Sequence, residues 1–162
     1  MSDALPVIAV IGGTGAEGSG LALRWAQSGY RVLVGSRDAA RAAEIAAGFG
    51  AEGMDNQSAA SACDIAVLTV PYAAQRATLI ELRDALQGKI LVDVTVPLVP
   101  PKVMRVQLPD EGCAALIAQS VLGNGVRVVS AFQNVSAGHL KDRGHVIDCD
   151  ALITGDDPEA RA

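Results

Sequence analysis

The sequence predicts an α/β fold, a doubly wound and mostly parallel sheet with helices on both faces. Three observations carry that prediction. Short, continuous apolar runs such as Val7 to Ile11 lack the alternation of a half-wetted strand, so they belong to strands covered on both sides. These runs alternate with segments of helical period along the chain. Hydrophobic residues make up 50% of the 162 and aromatics only 3%, which leaves Ala, Val, Leu and Ile to fill the interior, as between a parallel sheet and its helices.

Val7 to Ile11 is the first strand, ending in glycine. Leu21, Leu23, Trp25 and Ala26 then give one apolar helix face, and Ser28-Gly29 stops that helix because glycine accepts the left-handed C-cap conformation. Arg31 to Gly35 is the second strand, and Asp38 is the expected N-cap of an alanine-rich helix ending around Gly48-Phe49-Gly50. A short piece around Gly53-Met54 leads into a helix from Asn56 to Ala62. Asp64 to Val70 is a buried strand broken at Pro71, and Tyr72 to Leu86 is helical by period. Lys89 to Val96 is the next strand. Pro97, Pro100 and Pro101 after it must be loop, since proline sustains neither regular element. A helix from Glu111 to Leu122 ends at Gly123-Asn124-Gly125, Val126 to Phe132 is a strand, a short helix lies near Ser136 to Leu140, and Val146 to Ile153 is expected as the last strand. With no repeat, linker or low-complexity tract, residues 1–162 are expected to form a single domain.

A net charge of -5 gives no electrostatic footprint for DNA or RNA, so nucleic acid is not an expected partner. Cys63, Cys113 and Cys149 are odd in number and far apart, which suits small core residues in a reducing compartment. Neither they nor His139 and His145 have metal-ligand spacing, so no metal is expected. His139 is expected on the surface of its helix. The stretch Met1 to Pro6 lacks a basic targeting region, and no apolar run approaches the roughly 20 residues of a membrane span, so a soluble, cytoplasmic protein is expected.

Gly13-Thr14-Gly15-Ala16-Glu17-Gly18 matches G-x-G-x-x-G directly after the first strand and opens the first helix, the context of a Rossmann-type NAD(P)-binding fold. Gly13 is expected to permit the tight turn, Gly15 the approach of a pyrophosphate, and Gly18 the close packing of helix and strand. Gly13, Thr14, Gly15, Ala16 and Glu17 are thus candidate cofactor contacts at a helix N-terminus. An acid at the end of the second strand would bond the ribose of NAD and repel a 2′-phosphate. The chain has Ser36-Arg37-Asp38-Ala39-Ala40-Arg41 there instead, so Ser36, Arg37 and Arg41 are the expected clamp for NADP(H). Thr69-Val70-Pro71 and Thr95-Val96-Pro97 end middle strands, which makes Val70, Pro71 and Val96 candidate contacts of the nicotinamide ring. No catalytic residue is assigned. Neither Tyr-x-x-x-Lys nor a His-carboxylate pair is evident, and hydride transfer between two ring systems needs alignment more than an acid or base.

Ile11-Gly12-Gly13-Thr14-Gly15-Ala16-Glu17-Gly18, Leu21-Ala22-Leu23-Arg24, Val34-Gly35-Ser36-Arg37, Cys63 to Pro71, Val128 to Phe132 and Gly155-Asp156-Asp157 together resemble the NADPH-dependent coenzyme F420 reductases over nearly the whole chain. The resemblance implies reversible hydride transfer between NADP(H) and the deazaflavin coenzyme F420, the two rings stacked over the C-terminal edge of the sheet, in a cytoplasmic homodimer. It places Thr14, Gly15, Ser36, Arg37 and Arg41 on the NADP side and Val70-Pro71 near the nicotinamide. It places the segment Phe132 to Ala137, with Asn134, Val135 and Ser136, on the deazaflavin side. Family members continue past the position of Ala162, so the chain is expected to lack C-terminal elements that help close the deazaflavin pocket. Asp156-Asp157-Pro158-Glu159 looks like the start of a further helix. Two other readings stay open: reduction of another acceptor, such as a flavin or ferric ion, and a non-catalytic NADPH-binding module. An acceptor pocket formed by Gln133 to Ala137 and the Pro97 to Pro101 loop would favour an enzyme.

Overall fold

The structure, a computed structural model, describes residues 5–98, 101 and 105–162. The N-terminal Met1 to Ala4 and Pro100 of the proline loop lie outside them.

The strands are β1 (Ile8–Ile11), β2 (Val32–Ser36), β3 (Glu52–Asp55), β4 (Ile65–Leu68), β5 (Ile90–Asp93) and β6 (Arg127–Ser130). They form one sheet in the order β3-β2-β1-β4-β5-β6, and every neighbouring pair is parallel. The helices are α1 (Ala16–Gln27), α2 (Ala39–Ala47), α3 (Asn56–Ala62), α4 (Tyr72–Leu82), α5 (Ala114–Leu122), α6 (Ala137–Lys141) and α7 (Pro158–Arg161). The period of two along each strand sends alternate side chains to opposite faces. Ile8 and Val10 join Leu21 and Ala22 of α1, Ala42 and Ala46 of α2, and Leu140 of α6 in one cluster. Ala9 and Ile11 join Ala59 of α3, Leu79 and Leu82 of α4, and Ala118 and Leu122 of α5 in the other. Burial on both faces is why β1 and β2 are continuous apolar runs.

The piece around Gly53-Met54 is the edge strand β3, its register fixed by pairing Val34 with Gly53 and Gly35 with Met54. A side chain at Gly53 would collide with the backbone of Ala42 and Ala43, so α2 lies directly on this strand. Elsewhere the expected elements are shorter at their ends. The helix from Tyr72 stops at Leu82, and the one expected from Glu111 starts at Ala114. Asp157 caps α7 by accepting from the Ala160 N–H at 2.9 Å, as the Asp-Asp-Pro-Glu stretch suggested.

Val146 to Ile153 is not a strand. Among the described residues one antiparallel bridge, Ser130 with Thr154, touches the sheet edge, while Val146 is 85% exposed and Leu152 67%. The physical reason lies in α1. Arg24 donates to the carbonyls of His139, Leu140, Asp142 and His145, holding that stretch against the helix instead of the edge of β6. Asn134 claims the Asp150 carbonyl at 2.8 Å. Cys63 is buried as expected, but Cys113 and Cys149 are exposed because the segments carrying them run outside the core. His139 is exposed on α6, its ring 4.4 Å from that of His145.

Candidate functional site

Six parallel strands point their C-terminal ends at one edge of the molecule. Beside β1 the order reverses, with β2 on one flank and β4 on the other, so the connecting loops part there and leave a crevice. A cleft of about 800 Å³ occupies that place. Its lining includes Thr14, Gly15, Ala16 and Glu17 of the glycine loop and first helical turn, Ser36 and Arg37 after β2, Val70 and Pro71 after β4, and Val96 after β5.

The glycine loop is built by close approach. Gly12 has a φ of +73°, the left-handed conformation that favours glycine, so the tight turn falls there and not at Gly13. Gly13 serves packing instead: a Cβ on it would lie 2.7 Å from the Val10 carbonyl oxygen. Gly18 leaves no room for a side chain, since a Cβ would strike the Thr69 hydroxyl and come within 2.8 Å of the Gly13 Cα. Gly15 differs. Its missing Cβ would meet only the Gly12 oxygen at 3.7 Å, which leaves the start of α1 open to a ligand. Gly15 is also the N-cap of α1, with no side-chain cap, so the helix presents unclaimed N–H groups and a partial positive charge to the cleft.

Two residues hold this loop in a role that the sequence does not assign to them. Asn56, buried at the start of α3, accepts the Gly12 N–H on its Oδ1 at 3.2 Å. Thr69, just past β4, donates its hydroxyl to the Ile11 carbonyl at 2.9 Å. Neither has a local sequence signature, because each bond joins positions 44 and 58 residues apart.

At the β2 end, Ser36 is buried and its Oγ accepts the Asp38 N–H at 3.1 Å, while Asp38 caps α2 by accepting the Arg41 N–H at 3.0 Å. These bonds fix the turn that carries Arg37 into the cleft. No carboxylate pairs with the Arg37 or Arg41 guanidinium among the described residues. Arg41 stands exposed one helical turn on and is not part of the cleft lining.

The β5 end carries a buried polar network. The Asp93 carboxylate accepts the Thr95 N–H at 2.9 Å and the Gln75 side-chain amide at 2.8 Å, and Gln75 also donates to the Ala114 carbonyl at 2.9 Å. Burial raises the Asp93 pKa above the ordinary carboxylate value, against the lowering effect of the bonds from Thr95 and Gln75. Through its backbone oxygen, Asp93 also accepts from the Gln133 amide at 2.9 Å. Thr95, at the other end of the network, lines the cleft.

The segment after β6 lies differently from the expectation. Asn134, Val135 and Ser136 do not line the cleft: Asn134 is turned to Asp150, Val135 packs on the α1 side of the sheet, and Ser136 is the exposed N-cap of α6. Phe132 explains the departure. It holds a φ of +71°, rare for a residue with a side chain, and packs edge-on against Trp25 with ring centroids 5.7 Å apart. The chain therefore turns towards α1 immediately after β6. No group of three or more metal-binding side chains occurs among the described residues, and no described helix is long and apolar enough to cross a membrane.

The Glu17 carboxyl sits in the first turn of α1. Its Oε1 is buried without a hydrogen-bond partner among the described residues, and burial raises its pKa. An orphaned carboxyl oxygen, an open glycine and an uncapped helix end thus meet at one place in the cleft. The N–H donors of that helix end fit the diphosphate of a dinucleotide, whereas the carboxyl oxygen beside them is an acceptor.

Comparison with known proteins agrees with this geometry. Residues 7–97 match the family model described as NADP oxidoreductase, coenzyme F420-dependent. The chain is 40% identical to the F420-dependent NADP reductase of Methanothermobacter thermautotrophicus, over 94% of this chain and 72% of that protein. It is 39% identical to the F420-dependent NADP reductase of Methanocaldococcus jannaschii, over 95% and 74%. A more distant relative, Metalloreductase STEAP3 of Rattus norvegicus, is 31% identical over 96% of this chain and 30% of its own length. Among solved structures, a chain from Arthrobacter sp. FB24, provisionally assigned as an F420-dependent NADP reductase, superposes with a TM-score of 0.82 at 23% identity, covering 97% of this chain and 77% of that one. At that identity the likeness bears on the fold.

Proposed function

From the premise that this chain belongs to the coenzyme F420-dependent NADP oxidoreductases, we propose that it transfers a hydride between NADP(H) and the deazaflavin coenzyme F420 in the cleft at the β1/β4 crevice. The observation that carries this reading is the continuity of the cleft. It runs from Arg37 past the uncapped start of α1 to the ends of β4 and β5, so one cleft joins the expected phosphate clamp, the helix end and the expected nicotinamide contacts.

On this reading Arg37 holds the 2′-phosphate with its guanidinium, and Ser36 fixes the turn that aims it. Arg41, outside the lining in the free chain, approaches the same phosphate from α2. Thr14, Gly15, Ala16 and Glu17 bring the N–H groups of α1 to the diphosphate, and Gly13 keeps the loop close to β1. Val70, Pro71 and Val96 form the apolar floor under the nicotinamide, with Thr95 held in place through Asp93. Reduced nicotinamide supplies the hydride, and the deazaflavin receives it. The protein aligns the two rings and keeps water from them, so no acid or base residue is assigned. Asn134, Val135 and Ser136 reach the acceptor only if the segment after Phe132 moves toward the cleft. We further propose that residues 1–162 act as a single NADP(H)-binding domain, in a cytoplasmic homodimer.

Absorbance of oxidised deazaflavin mixed with the purified chain and NADPH tests the reading. Bleaching with NADPH but not NADH is expected. Free flavin and a ferric chelate serve as parallel acceptors, because one relative is named a metalloreductase. Bleaching absent with deazaflavin but present with one of these would move the assignment to that acceptor. Tight NADPH binding with no turnover on any acceptor would make the chain a binding module.

A further inference from the structure

The cleft contains one feature that the glycine-loop pattern does not require. Glu17 occupies the second position of α1, where the helix N-terminus meets the cleft, and its Oε1 has neither water access nor a hydrogen-bond donor among the described residues. No ion pair involves it among the described residues. Strands β1, β2 and β4 carry no charged side chain, and the other charged residue of α1, Arg24, is committed to four carbonyls at the far end of the helix. On α6, which packs against α1, stand His139 and Lys141, both exposed. The other titratable groups lining the cleft are Arg37 after β2, and Tyr72 and Glu81 on α4.

A diphosphate seated on the same helix end brings further negative charge beside this carboxylate. The N-terminus of one helix offers about half a positive charge, too little to offset both anions. A proton resolves the conflict: the neutral acid no longer repels the diphosphate, and its O–H becomes a donor to a phosphate oxygen.

Resting on the reading of the cleft as a dinucleotide site, we infer that Glu17 takes up a proton from solvent when NADP(H) binds, so that it is a neutral hydrogen-bond donor in the complex and a carboxylate in the free protein. The existing burial of the group raises its pKa in the same direction. Binding therefore weakens as pH rises through the interval between the free and bound pKa values of Glu17, by at most about tenfold per pH unit for one linked proton. The 2′-phosphate contributes the opposite sign, since an arginine partner favours its dianion and releases protons.

Isothermal titration of NADPH into the full chain, in buffers of different ionisation enthalpy between pH 5.5 and 8, counts the protons exchanged. Glu17→Gln and Glu17→Ala are measured alongside. The expected result is up to one more proton taken up by the wild type than by either variant. The affinity of Glu17→Gln should fall less with pH, and at pH 8 it should be equal to or tighter than that of the wild type. Equal proton counts in wild type and variants would overturn the inference while leaving the cofactor site intact. Failure of the wild type to bind NADPH at any pH would overturn the cofactor reading, and the inference with it.

Discussion

Two residues show how a single side chain can set a property of the site. Arg37 lines the cleft with no carboxylate partner among the described residues, so its charge is available to a ligand. Arg37→Ala should weaken NADPH more than tenfold and leave NADH nearly unchanged, because a hydrogen bond to a charged group contributes about 1.5–3 kcal/mol. Fluorescence titration with both nucleotides checks this, and equal losses for the two would remove Arg37 from the phosphate site. Asp93 acts on stability. Its pKa in the folded chain is raised by burial, so the folded state binds that proton more tightly than the unfolded state does. The contribution to stability is therefore greatest below the unfolded-state pKa of about 3.9 and declines as pH rises towards the raised folded value. Urea unfolding of wild type and Asp93→Asn from pH 4 to 8 should show the wild type losing stability relative to the variant over that window. A difference that grows in favour of the wild type would contradict the sign. Arg37 is legible in the sequence because its meaning depends on the four residues around it. The role of Asp93 is not, since it depends on Gln75, which lies 18 residues away.

At the level of elements, the turn from β1 into α1 is the part most strongly determined by local chemistry. Its glycines have separate duties: Gly12 supplies the left-handed turn, Gly13 and Gly18 allow contact, and Gly15 leaves the helix end open. Gly18→Ala must push α1 away from Thr69 and from the Gly13 backbone. Overpacking of this kind typically costs about 1–3 kcal/mol. The expected outcome is a lower melting temperature together with weakened NADPH binding, measured by calorimetry and fluorescence titration. An alanine variant with unchanged affinity would show that the helix–strand contact does not position the loop. The elements that local patterning misplaced lie after β6. Val146 to Ile153 has a strand-like composition, yet Arg24 anchors the preceding stretch to α1 and Phe132 has already turned the chain that way. Tertiary contacts overrode β-propensity there, as they do where a sheet edge offers no second partner.

For the whole molecule, six parallel strands with a buried cluster on each face predict one cooperative unit whose ligand joins both halves of the sheet at the central crevice. Thermal unfolding should therefore show a single transition. NADPH at a hundredfold excess over its Kd should add about 2.7 kcal/mol, which for a chain of this size moves the transition up by roughly 5–10 °C. NADH at the same concentration should move it much less. Two separate transitions, only one of them responsive to NADPH, would refute the single-unit reading. By itself the sequence determined the α/β class, the alternation of its elements, the glycine loop at the start of α1 and the arginine after β2, because each depends on periodicity or on residues within a turn of one another. The tertiary structure alone decided that Asn56 and Thr69 clamp the glycine loop, that Asn134 to Ser136 turn away from the cleft, and that Glu17 hides an oxygen with no partner among the described residues. Those outcomes depend on which distant segments meet. Hydrogen bonding and burial between segments are settled by packing, which no local pattern encodes.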